Sequence, residues 1–140
     1  MTPGPVTPDQ TRGFLIIMWV GMVSTLPLYY FITTIAKPSQ PDPNSPLIVP
    51  LLAAAVLMVL LSFYVKARFG ASEGRARTPG IVRVAYILAL VLTELPGVLG
   101  IIVYFVSEWP KTWVFFLISA TGYVLNFPKR DDFETSGGSA

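Results

Sequence analysis

The chain contains no cysteine and no histidine, and charged residues make up only 13% of its 140 positions. The missing cysteines exclude disulfides and thiolate metal sites. The missing histidines exclude imidazole ligands, Ser–His nucleophile pairs and imidazole proton shuttles. There is also no GxxxxGK-S/T phosphate loop, no GxGxxG after a strand and no CxxCH. The sequence therefore reads as a non-enzyme with no cofactor and no metal centre. Its net charge is +2, but the basic residues border apolar segments, where they act as topology signals and imply no nucleic-acid partner.

What the chain has in excess is apolar surface: 53% of its residues are hydrophobic and the mean hydropathy is +0.62. A water-soluble domain of this size does not carry that balance. Residues 13–36 are free of charge, as are 47–65, and the run 84–107 is broken only by Glu94. At about 1.5 Å per helical residue, each can cross a hydrocarbon core of about 30 Å. A fourth run, 109–127, reaches the same length if Lys111 extends its amine back to the interface. Unpaired backbone groups are not tolerated in lipid, and these runs are too long for barrel strands. The expected fold is an all-α integral membrane domain, 13–130, with four transmembrane helices at 13–36, 47–65, 82–107 and 109–127.

Short, breaker-rich connections such as KPSQPDPNSP and SEWPK force neighbouring spans antiparallel, giving an up-down bundle. Residues 1–12 are proline-rich and 131–140 acidic and Gly/Ser-rich, and both read as disordered. The first apolar run is too long for a cleaved leader, so it is expected to stay as an anchor. With both termini cytoplasmic, Arg12, Lys66, Arg68, Arg75, Arg77, Arg83, Lys129 and Arg130 lie inside and only Lys37 and Lys111 outside. The positive-inside rule therefore predicts N-in, C-in topology in a membrane of the bacterial inner type. Trp109 and Trp113 then belong to an outer aromatic belt, and the six tyrosines read as interfacial anchors. Trp19 has no evident task. Arg68, Arg75, Arg77 and Arg83 form a basic cytoplasmic loop suited to lipid phosphates or a partner.

Glu94 is the residue that asks for an explanation. It lies ten residues into its apolar run and thirteen before its end, near mid-bilayer, where an ionised group costs roughly 2.5–3.5 kcal/mol. Desolvation there favours the neutral acid. Two readings are open: a reversible carrier of a proton or small cation, or a neutral acid bonded to Thr25, Thr93 or a backbone carbonyl to hold helices together. Pro96 lacks an N–H and frees the Leu92 carbonyl, predicting a bend and an acceptor beside the acid. Ala85, Ala89, Thr93, Gly97 and Gly100 form a small-residue stripe for close helix approach, within the chain or in an oligomer. A shift of 69 residues places Ser24-Thr25-Leu26-Pro27 on Thr93-Glu94-Leu95-Pro96. The four helices thus read as two duplicated hairpins, with Pro27 matching Pro96 and Thr25 in the acid's place.

The segment ALVLTELPGVLGIIVYFV at 89–106 resembles the carboxylate-bearing helix of the ATP synthase proteolipid, the c subunit, and of its duplicated V-type relatives. Arg77-Thr78-Pro79, 17 to 15 residues before Glu94, matches the family's basic loop. The resemblance implies that Glu94 binds the proton or cation, that 66–83 faces a cytoplasmic partner, and that the protein works in the bilayer as a homo-oligomer or with other membrane subunits. Two other functions fit the residues: a non-catalytic accessory subunit that packs through the stripe, and a small four-helix exporter of cations.

Overall fold

A computed structural model describes residues 8–38, 42, 44–69 and 79–129. The described residues form five helices: α1 (Pro8–Val23), α2 (Thr25–Ile35), α3 (Ile48–Phe69), α4 (Pro79–Ser107) and α5 (Trp113–Leu125). Arg75, Arg77 and Arg130, residues 1–7 and the tail 131–140 lie outside the described residues.

The first apolar run is two helices in series. Pro27 has no N–H to offer the carbonyl of Val23 four residues back, and α1 ends at Val23. Hydroxyls occupy carbonyls at the joint: Ser24 Oγ donates to Val20 O at 2.7 Å and Thr25 Oγ1 lies 2.6 Å from Met22 O. Pro96 behaves differently, because α4 continues as helix through it. The break therefore falls at the repeat-equivalent proline rather than beside the acid.

Two expected boundaries are corrected. Helix begins at Pro8, inside the segment expected to be disordered, with proline at the first position and Asp9 in the first turn, both favourable at an N-terminus. The helix expected at 109–127 occupies only Trp113–Leu125, because Glu108 to Lys111 form the connection and Asn126 ends it. At 13 residues α5 is about 20 Å long.

α4 touches every other helix, and α5 does likewise. Among the described residues α1 and α2 make no contact with α3, so α4 and α5 separate the first run from the second. Along α4, Arg83 stacks on Phe14, Glu94 meets Thr25, and Tyr104 meets Ala36. On its other flank Gly100 faces Phe115 and Thr93 faces Gly122.

The exterior is apolar, and buried polar groups stand among the hydrophobic core. Among the interior residues are Ser62, Thr93, Ser119 and Asn126, each 0% exposed, while Ile17, Val49 and Val124 are exposed by 70% or more. Large apolar side chains cover the outside of every helix, which water would not tolerate over such an area. Three stretches, Asp9–Ile35, Ile48–Phe69 and Gly80–Ser107, are long and apolar enough to cross a membrane, and α5 is a shorter apolar helix. The chain has the make-up of a helical membrane protein.

Candidate functional site: a carboxyl held by three hydroxyls

Glu94 stands midway along α4. Its Oε1 lies 2.7 Å from Thr25 Oγ1 and accepts the hydroxyl of Tyr29, both on α2. Its Oε2 accepts the hydroxyl of Tyr123 on α5. One side chain thus links three helices, and no described lysine or arginine pairs with it. Glu94 is only partly buried.

The Thr25 hydroxyl has one proton and two acceptors within reach, Met22 O at 2.6 Å and Glu94 Oε1 at 2.7 Å. If the carboxyl is ionised, Thr25 donates to it. If the carboxyl is neutral, its own proton goes to Thr25 Oγ1, and Thr25 donates to Met22 O. Both tyrosines remain donors in either case. The same heavy-atom positions therefore accommodate either protonation state.

Tyr123 is itself positioned. Trp19 Nε1 donates to the Tyr123 carbonyl at 2.9 Å, satisfying an acceptor in the last turn of α5, and packs edge-on against Phe127 at 5.2 Å between ring centroids. Trp19 thus has a task that its position in an apolar run conceals.

Thr93 does not bond Glu94. It belongs to a second polar cluster that is fully buried: Thr93 Oγ1 donates to Ala89 O at 2.8 Å and accepts Asn126 Nδ2 at 3.0 Å. Asn126 Nδ2 also reaches Ser62 Oγ at 2.9 Å, and Ser119 Oγ donates to Thr93 O at 2.6 Å. The backbone acceptor that gains a side-chain donor here is therefore Thr93 O rather than Leu92 O. Asn126 Oδ1 is buried without a partner.

The small-residue stripe is covered by the chain's own helices. A Cβ on Gly97 would lie 3.1 Å from the Tyr29 ring, and one on Gly100 would lie 2.8 Å from Phe115 Cβ. Ala85 and Ala89 are buried. Of the basic residues, Arg83 holds its guanidinium 4.0 Å from the Phe14 ring centroid, Lys66 lies 4.8 Å from that of Tyr86, and Arg68 is exposed at the end of α3.

The tyrosines, mostly toward the ends of the apolar runs, including Tyr29 and Tyr123, read as interfacial anchors in the sequence. That reading missed them as partners of Glu94 because it cannot say which faces of separate helices meet. The one signal that located a partner was the 69-residue repeat, which aligned Thr25 with Glu94. Compared with family models, curated proteins and solved structures, the chain matches none.

Proposed function

We propose that the protein is a small multi-pass membrane protein whose Glu94 carboxyl reversibly binds a proton, as in the proteolipids its third apolar run resembles. The observation that carries this reading is the hydroxyl cage: Thr25, Tyr29 and Tyr123 can serve the carboxyl both ionised and neutral, and no described lysine or arginine pairs with it. Proton binding then costs only the reorientation of one hydroxyl. The partial exposure of Glu94 fits a group that is neutral against hydrocarbon and ionised where it meets a partner's cation or water.

The topology in this reading is four antiparallel spans in an up-down bundle with both termini cytoplasmic. The pairings of α4 with α5 support it, since Gly100 and Thr93 face Phe115 and Gly122 in reversed order. The small-residue stripe is occupied within the chain, so in this reading assembly with other copies or membrane subunits uses the outer apolar faces.

A second reading is favoured by the same hydrogen bonds: an accessory subunit in which Glu94 fastens α2 and α5 to α4. Infrared titration of the carboxylic C=O stretch in reconstituted vesicles separates the two. Reversible proton binding gives a band that is present at low pH, absent at high pH, recovered on return and missing from Glu94→Gln. A carboxyl that serves only as a fastener gives no reversible change.

A further inference from the structure

At the end of α4 away from Lys66 and Arg83, a cavity of about 490 Å³ opens between α2 and the α4–α5 connection. Its walls include five aromatic rings, Tyr30, Tyr104, Trp109, Trp113 and Phe116, and among the described residues Glu108 is its one charged lining group. The hydroxyls around it have already used their protons. Thr33 donates to Tyr30 O at 2.7 Å, Thr34 to Phe31 O at 2.7 Å, Thr112 to Trp109 O at 2.6 Å, and Tyr104 to Ala36 O at 2.7 Å. Those four oxygens can offer the cavity only lone pairs.

Glu108 is also the one non-glycine residue with a positive φ among the described residues, at 47°. This left-handed position ordinarily goes to glycine or asparagine, and a β-carbon there carries a conformational cost. Aromatic rings, spent hydroxyls and a carboxylate without a described cation partner all favour the same kind of guest, a positively charged group that donates hydrogen bonds. The geometry points to an organic ammonium site in this cavity, with Glu108 as counter-charge and Trp109, Trp113 and Tyr104 as the aromatic wall. The ammonium can be carried by a free amine or by a lipid headgroup, and the volume is that of a small-ligand pocket.

The site is tested on the full chain reconstituted in phosphatidylglycerol vesicles, by titrating cyclohexylammonium at neutral pH and constant ionic strength and reading tryptophan fluorescence. Cyclohexanol serves as the uncharged probe of the same shape. The expected result is a saturable change with cyclohexylammonium that cyclohexanol does not reproduce. Glu108→Gln weakens the affinity about tenfold or more while helical content is unchanged, and Trp113→Leu, at an exposed position that need not disturb the core, reduces both affinity and amplitude. Replacing the lipid by phosphatidylethanolamine then identifies the source. Loss of the amine response means that the headgroup occupies the site, and persistence means a free amine. No saturation, an equal response to cyclohexanol, or unchanged affinity in Glu108→Gln overturns the proposal.

Discussion

Within reach of Glu94, the protons are counted as closely as the charges. Tyr29 and Tyr123 each bring one proton to the carboxyl, and Thr25 brings one that it can give to Glu94 or to Met22. Removing the Tyr123 hydroxyl by Tyr123→Phe leaves the ring packed and deletes a single donor. Interhelical hydrogen bonds within membranes average about 0.6 kcal/mol and reach about 1.7. Tyr123→Phe is therefore expected to destabilise by about 0.5–2 kcal/mol in an unfolding titration with denaturing detergent. Glycines give a sharper contrast. A Cβ at Gly122 would lie 2.6 Å from Thr93 Cγ2, whereas Gly21 has nothing within 4 Å. Gly122→Ala should cost about 1–3 kcal/mol by overpacking, while Gly21→Ala should be neutral or stabilise by up to about 1 kcal/mol through helix propensity. The same titration checks both.

At the scale of the helix, the apolar runs were legible because a backbone in lipid must bond to itself, and uncharged stretches of bilayer length admit few alternatives. The three long spans follow directly from that constraint. The details that escaped have local causes. The helix break at Val23 needed the choice between Pro27 and Pro96, two prolines in similar contexts, and the bonding of Ser24 and Thr25 to upstream carbonyls accompanies the first. The brevity of α5 lay in SEWPK, which ends α4 at Ser107 and spends residues 108–111 on the connection, and in Asn126, whose side chain turns inward to Ser62 and Thr93. Phe14 meets Arg83 and Thr25 meets Glu94, each pair 69 residues apart, the same offset as the sequence shift, with Ala36 and Tyr104 68 apart. Equivalent positions of the first and third apolar runs thus lie level with one another. Gly97→Leu, by pushing against Tyr29 and Leu26, should loosen α2 from α4. A faster proteolytic cut near Lys37 in the reconstituted protein would show it.

Across the whole molecule, among the described residues, the interior combines apolar side chains such as Leu15, Tyr86, Leu90 and Phe115 with the buried polar groups Ser62, Thr93, Ser119 and Asn126, while large apolar side chains also cover the outside. Topology can be tested cleanly because the chain has no native cysteine. An impermeant maleimide should label Asn44→Cys in intact cells and Arg68→Cys only after permeabilisation. The opposite pattern would invert the assigned orientation. The central claim, that Glu94 is a protonatable carboxyl within reach of lipid, is tested most directly by the pH dependence of labelling with dicyclohexylcarbodiimide in membranes, with Glu94→Gln as the blank. The reagent modifies protonated carboxyls and arrives from the hydrocarbon. The account predicts Glu94-dependent labelling that is strong at low pH and falls as the pH rises; no labelling of Glu94 at any pH would contradict it.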